Sequence, residues 1–242
     1  WQVGRYLFLL PVRYPAIVRY DTETDQLAYI ETDFSRWLGD VQGFQRLGGS
    51  CVWQGHLLLG SGRSGQVLSL DCDTLANEII NLVPASQQGC LALVPDGDDL
   101  WYLPMHGKRI LRWNPREGSL RSYEDFPADF SCVNILNGVP CEDLPFGSAA
   151  FTEDAAYLSP GWGNQFVRID KRTGKMERWQ PELPGDLQRA DGYYRVGWTG
   201  DFLAKRAEGV YCYLYLPERS IYDIELATGK CHRIEIEFSD AA

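Results

Sequence analysis

The sequence lacks the features that mark several functional classes. It has no run of about 18 apolar residues, so no membrane-spanning helix is predicted, and no signal-peptide pattern is present. It also lacks a basic stretch: 23 Lys and Arg stand against 33 Asp and Glu, which gives a formal charge of −10. Because nucleic-acid binding needs a basic surface that releases counterions, the balance argues against such a partner and predicts a solvated acidic surface.

Metal-binding and redox motifs are absent as well. The three histidines, His56, His106 and His232, lie far apart, and no CxxC pair occurs among the seven cysteines. The number of cysteines is odd, and several of them lie in apolar segments that resemble strands. This pattern predicts reduced thiols and favours the cytoplasm over secretion. Pairing of Cys132 with Cys141 remains an open alternative. We predict no metal and no cofactor.

A repeated unit is present instead. The unit consists of an apolar run, then an alternating run that ends in a polar anchor residue, then a short turn. It recurs five times, starting at Tyr6, His56, Asp99, Ala155 and Val210. The anchors are 50, 43, 56 and 55 residues apart: Asp21, Asp71, Asn114, Asp170 and Glu225. A period of about 40 to 55 residues built only of strands predicts the blades of a β-propeller.

Each copy supplies three strands, B, C and D. A segment of small residues before copies two to five supplies an inner strand A, as in GGSCVWQG. The alternating sequence of strand C recurs as IVRYD and FVRID. The side chains of four anchors can bond to turn N–H groups, so we interpret them as structural: Asp21, Asp71, Asn114 and Asp170. Helix signals are poor, except for one short helix that the spacing allows from Phe34 to Gly49.

These strand and turn patterns resemble the blades of bacterial β-propellers with YVTN, NHL-like and streptogramin-lyase-like repeats. We therefore expect an all-β fold in one domain, 1–242, with blades near 1–33, 48–83, 89–126, 146–181 and 194–239. The first copy lacks strand A unless Trp1 to Arg5 contribute a stub. We expect the chain to be a segment of a larger ring of six to eight blades, with a closed five-blade ring as the alternative.

The B–C and D–A loops of a propeller share one face, and here they hold the long and variable segments. Aromatic platforms with planar polar groups suit sugars, peptides and anions, although scattered long side chains are also ordinary solvation. We predict a non-catalytic recognition or scaffold propeller that binds a peptide, glycan or protein on this loop-rich face. Its predicted ligand-binding residues are Arg63, His106, Lys108, Arg109, Trp162, Asn164, Arg189, Tyr193 and Arg219. Glycines beside Arg63 could also let backbone N–H groups hold an anion.

A hydrolase or lyase is the alternative function. His106 could act as a general base, but the streptogramin-lyase resemblance implies neighbouring histidines around a metal, and these are missing. Glycosidase-like propellers would place carboxylates near the axis. The candidates are Asp96 or Asp98, Glu153 or Asp154, and Asp201, all of which also fit turn chemistry. No catalytic residue is predicted.

Overall fold

The protein folds as β-strands joined by turns. This computed structural model describes residues 1–10, 16–30, 47–83, 89–134, 137–184, 200–215 and 219–235. Within these ranges there is no α-helix, and hence none long and apolar enough to cross a membrane. The helix predicted from Phe34 to Gly49 lies mostly outside the described residues, and its last three positions, 47–49, belong to a strand.

Five four-stranded antiparallel sheets follow one another along the chain, and we call them blades 1 to 5. Blade 1 contains β1 (Gln2–Val3), β2 (Tyr6–Leu9), β3 (Ile17–Asp21) and β4 (Gln26–Ile30). Blade 2 contains β5 (Leu47–Trp53), β6 (His56–Ser61), β7 (Gln66–Asp71) and β8 (Asn77–Asn81). Blade 3 contains β9 (Cys90–Asp96), β10 (Asp99–Pro104), β11 (Ile110–Asn114) and β12 (Ser119–Tyr123).

A two-stranded ladder, β13 (Cys132–Val133) with β14 (Pro140–Cys141), precedes the last two blades. Blade 4 contains β15 (Phe146–Phe151), β16 (Ala155–Pro160), β17 (Phe166–Asp170) and β18 (Met176–Trp179). Blade 5 contains β19 (Gly200–Ala207), β20 (Val210–Tyr215), β21 (Ser220–Glu225) and β22 (Cys231–Ile234). In each blade the four strands, in chain order, are the predicted strands A to D.

The first blade corrects one sequence expectation. Its inner strand is not missing, because Gln2 and Val3 pair with Leu7 and Tyr6 as the two-residue strand β1. The stub that the sequence allowed within Trp1 to Arg5 therefore supplies strand A of blade 1.

The chain divides into two compact units, Trp1–Ser122 and Tyr123–Ala242. In the first, apolar side chains of neighbouring blades form the core. Phe8 and Ile17 of blade 1 pack with Leu57 and Leu68 of blade 2, and other blade 2 residues pack with Tyr102 of blade 3. In the second unit, Phe166 of blade 4 packs with tyrosines of blade 5. One face of blade 2 thus packs against blade 1 and the other against blade 3, because successive side chains of a strand point to opposite faces.

The seven cysteines are free thiols, and Cys51, Cys72, Cys90 and Cys132 are buried. Burial raises the pKa of the Cys51 thiol to about 12, so its reactive thiolate is scarce at neutral pH. Cys132 lies directly opposite Cys141 in the β13–β14 ladder, yet both are reduced here.

The turns between strands C and D confirm the structural role predicted for the anchors. The Asp71 carboxylate accepts hydrogen bonds from the N–H groups of Asp73, at 3.0 Å, and Thr74, at 2.7 Å. Equivalent bonds to turn N–H groups are accepted by Asp21, Asn114 and Asp170. In all five turns the residue four positions after the anchor has a left-handed φ. This residue is Asp25 in blade 1, Leu75 in blade 2 and a glycine in blades 3, 4 and 5.

These turns predict a loss of stability in acid. The N–H bonds from Thr74 and Thr173 are the main cause of the lowered pKa values of Asp71 and Asp170. A carboxylate whose pKa is lower in the folded state stabilises the fold above its unfolded pKa of about 3.9 and loses that effect as pH falls through the folded pKa. We expect the double variant Asp71→Asn, Asp170→Asn to lose less stability between about pH 7 and about pH 3 than the parent protein.

Urea midpoints at the two pH values measure this effect. The variant keeps the turn bonds because Asn114 already makes them in blade 3 with an amide oxygen that does not titrate. Equal acid losses in the parent and the variant would show that other groups control the acid response.

Candidate functional site

One strand C position recurs in all five blades, and in blade 1 its side chain contacts blade 2. It lies two residues before the anchor and is occupied by Arg19, Ser69, Arg112, Arg168 and Asp223. In blade 1, Arg19 reaches across to blade 2: its Nη1 donates to the carbonyl oxygens of Cys72, at 3.2 Å, and Asp73, at 3.0 Å. Its guanidinium carbon also lies 4.3 Å from the centre of the Tyr6 ring. This one side chain therefore fills the outer part of the interface between blades 1 and 2.

Blades 3 and 4 also place a paired arginine at this position. The Arg112 Nε donates to Asp99 Oδ2 at 2.8 Å, and the Arg168 Nη1 donates to Glu177 Oε1 at 3.0 Å. All three arginines are thus held by oxygen acceptors. The recurring position is a site for a guanidinium in three of the five blades.

Blade 2 carries the short side chain of Ser69 instead. Ser69 is 7% exposed, and its Oγ lies 3.2 Å from His56 Nδ1 within the same blade. Because serine does not reach blade 3, a cleft of about 560 Å³ opens between the two blades, a size common among ligand sites. Its lining residues are Trp53, Gln54, His56, Leu58, Ser69, Glu78, Ile80, Asn81, Leu82, Trp113, Pro115, Arg116, Gly118 and Leu120.

Two tryptophans stiffen the apolar wall of the cleft. Trp53 and Trp113 are 8% and 5% exposed and belong to the core shared by blades 2 and 3. The Trp53 Nε1 donates to the carbonyl oxygen of Gly97 at 3.0 Å, so its ring orientation is fixed by blade 3. A wall held in this way is preformed, which lowers the entropic cost of binding.

Charged groups lie around the apolar wall. Glu78 pairs across the strands with Ser69, is exposed, and forms no ion pair or hydrogen bond with another described residue. On the opposite blade, Arg116 Nη1 lies 3.7 Å from Asp98 Oδ1, which also accepts a 2.8 Å bond from Gln54 Nε2. The cleft therefore combines an aromatic wall with a carboxylate that has no partner among the described residues.

Sequence reasoning did not find this cleft, although a signal was present. Strand C of blades 1, 3 and 4 has a central arginine, whereas strand C of blade 2 has the sequence QVLSLD, with Ser69 at that position. The predicted face was chosen from the lengths of its loops, whereas the cleft depends on the shortness of one side chain. It is lined by blade 2 and by strands C and D of blade 3 with the turn between them.

The predicted loop-rich face is partly described in the first unit. Arg63 and His106 are exposed, and Lys108 and Arg109 are half-buried, in the B–C loops of blades 2 and 3. The Ser61 Oγ accepts hydrogen bonds from the N–H groups of Arg63, at 3.3 Å, and Ser64, at 3.2 Å. These two N–H groups are thus engaged by the protein, and anion binding by the N–H groups of the neighbouring glycines stays a prediction.

In the second unit, the predicted residues of blade 4 contact their own chain. The Asn164 Nδ2 donates to the carbonyl of Asp129 at 2.7 Å, and its Oδ1 accepts the N–H of Ser131 at 3.1 Å. Trp162 bonds through its backbone to Leu144 and Val133. Arg219 is exposed with a left-handed φ of 52°, and Arg189 and Tyr193 lie outside the described residues. Ligand binding by this set stays a prediction.

Three carboxylates of the enzyme alternative accept hydrogen bonds in or near turns. Asp96 Oδ2 accepts the Trp101 Nε1 at 3.0 Å, Asp98 accepts Gln54, and Asp154 Oδ1 accepts the Thr152 hydroxyl at 2.7 Å. The bond from Thr152 is the main cause of the lowered pKa of Asp154. Across the described parts of the chain, no cluster of three His, Cys, Asp or Glu side chains could hold a metal ion.

Comparison with known proteins agrees on the fold. No protein-family model and no curated protein matches the sequence. Solved structures that are similar include a streptogramin B lyase (TM-score 0.64, 14% identity, 98% of this chain and 67% of that one). The Neurospora crassa Pan2 WD40 domain is also similar, with a TM-score of 0.58 and 8% identity over 97% of this chain and 64% of that one. Apo AztD from Citrobacter koseri has a TM-score of 0.54 and 12% identity over 98% of this chain and 71% of that one. The fold is thus an all-β propeller, and this chain spans about two thirds of the length of these structures.

Proposed function

We propose that this protein is a non-catalytic recognition propeller that binds its ligand in the cleft between blades 2 and 3. The observation that carries the proposal is the cleft itself, a preformed space of about 560 Å³ with two packed tryptophans in its apolar wall. Its polar groups, His56, Glu78 and Arg116, can orient a ligand. An apolar wall with a few placed polar groups is the usual composition of a small-molecule or side-chain pocket.

The loop-rich face is the second surface that we propose for a larger partner, such as a peptide, glycan or protein. Arg63 occupies one B–C loop, and His106, Lys108 and Arg109 occupy the next, so cations recur there on an acidic protein. We favour recognition over catalysis because the candidate carboxylates Asp96, Asp98 and Asp154 already bind neighbouring protein groups.

A fragment screen by ligand-observed NMR tests where ligands bind. We expect the Ser69→Arg variant to lose the hits that the parent protein binds, because the new side chain occupies the cleft as Arg19 occupies the interface before it. Asn77→Arg is the matched control: it adds the same charge on strand β8 next to Glu78, at a position that does not line the cleft.

Two results would count against the cleft. Hits that persist in Ser69→Arg but disappear in a Lys108→Ser, Arg109→Ser variant would assign binding to the loop-rich face. A screen without hits that depend on Ser69 would contradict the proposed function as stated.

A further inference from the structure

We propose that the cleft takes the guanidinium group of an arginine side chain presented by a peptide or protein partner. This inference rests on the proposed function and names the class of ligand. The partner would supply in trans the side chain that blade 2 lacks at position 69.

At the interface between blades 1 and 2, the chain uses its own arginine. The guanidinium of Arg19 packs over Tyr6 and donates to the carbonyl oxygens of Cys72 and Asp73 in the C–D turn of blade 2. The carbonyls of this turn are therefore suitable acceptors for a guanidinium that enters between the blades.

The C–D turn of blade 3 has the same construction as that of blade 2. Asn114 Oδ1 accepts the N–H groups of Arg116, at 3.1 Å, and Glu117, at 3.0 Å, as Asp71 does with Asp73 and Thr74 in blade 2. Gly118 has a φ of 64°, the same value as Leu75. By this equivalence Pro115 and Arg116 take the places of Cys72 and Asp73, and both line the cleft. Their carbonyl oxygens correspond to those that bind Arg19.

Glu78 lies opposite Ser69 on the neighbouring strand, as Glu177 lies opposite Arg168 in blade 4. There the arginine donates to the Glu177 carboxylate at 3.0 Å. Blade 2 keeps the carboxylate but has serine at the arginine position, and no other described residue pairs with Glu78. The cleft thus contains one half of an Arg–Glu pair.

The remaining surroundings also suit a guanidinium. Trp53 and Trp113 line the cleft and provide aromatic surface for a cation, as Tyr6 does for Arg19. The charge of Arg116 opposes the ligand, but Arg116 is exposed and lies 3.7 Å from Asp98, which offsets it. The formal charge of −10 attracts cationic partners at longer range.

An arginine fits this arrangement better than a lysine. A guanidinium presents several N–H donors in one plane, so it can reach turn carbonyls and a carboxylate while its face lies against an aromatic ring. An ammonium group is a compact and strongly hydrated charge that cannot make these contacts together.

Calorimetric titration with three matched probes tests the proposal: N-acetyl-arginine amide, N-acetyl-lysine amide and N-acetyl-citrulline amide. Citrulline has nearly the shape of arginine without its charge. We expect the arginine probe to bind at least about tenfold more tightly than either other probe, because hydrogen bonds with a charged partner are the stronger ones.

Three variants locate the site. Binding should be lost in Ser69→Arg, retained in Ser69→Ala, which keeps the cleft open, and weakened about tenfold in Glu78→Gln, since one charged acceptor is removed. Arg19→Ser should create a second arginine site, seen as a doubled stoichiometry and as a melting temperature that the arginine probe raises more than in the parent.

The outcomes separate this inference from the proposed function. If citrulline binds as tightly as arginine, or if arginine binding survives in Ser69→Arg, the guanidinium proposal is wrong. If only uncharged fragments bind in a manner that depends on Ser69, the proposed function stands and this inference fails. If no probe or fragment depends on Ser69, both fail.

Discussion

Replacing Gly49 by valine is expected to lower the free energy of unfolding by about 3 kcal/mol or more, because it forces overpacking against backbone. A Cβ at position 49 would lie 2.3 Å from Ala92 Cα and 2.5 Å from the Leu93 nitrogen. Those atoms belong to β9, the inner strand of the next blade, whose pairing with β10 resists displacement. The side chain therefore has no space that a rotamer change could provide.

Urea unfolding followed by far-UV circular dichroism measures the loss. Gly55→Asn is the control: Gly55 lies in the adjoining turn with a φ of 81°, and a Cβ added there would have no heavy atom within 4 Å. Asparagine tolerates left-handed backbone, so this change should cost only about 1 kcal/mol. Similar losses in both variants would show that chain flexibility, and not the contact between β5 and β9, sets the requirement for glycine.

The inner strands were accessible to sequence reasoning because crowding leaves a compositional trace. GGSCVWQG was predicted to be an inner strand from its small residues, and β5 from Leu47 to Trp53 confirms it. Repetition of the anchor and turn likewise identified strands B to D. The two-residue strand β1 was harder to predict, since Gln2 and Val3 are defined by their pairing with β2 and not by a pattern of their own.

The candidate site was much less predictable. A loop asparagine such as Asn164 has the same chemistry whether it binds a ligand or its own backbone, and only the fold shows its bonds to Asp129 and Ser131. The cleft beside Ser69 depends on a side chain that is too short and on a turn about 45 residues further along the chain. Periodicity describes what the copies share, whereas this site lies where one copy departs from the others.

Replacing Trp101 by alanine is expected to cost about 3–5 kcal/mol, as truncation of a buried aromatic side chain does. Trp101 is 0% exposed on strand β10, and its Nε1 donates to Asp96 Oδ2 at 3.0 Å. Truncation removes the packed ring and also leaves the Asp96 carboxylate without this donor. Both losses fall on the two inner strands of blade 3, β9 and β10.

Two controls separate burial from hydrogen bonding in equilibrium urea unfolding. Trp1→Ala removes the same side chain with a similar bond, from Nε1 to Ser50 Oγ at 2.9 Å, but Trp1 is 51% exposed, so we expect a loss of about 1 kcal/mol or less. Trp101→Phe keeps an aromatic ring and removes the donor, which should cost an intermediate amount. If Trp101→Phe were as destabilising as Trp101→Ala, the bond to Asp96 would outweigh packing, and the polar A–B turn would be the main determinant of blade 3 stability.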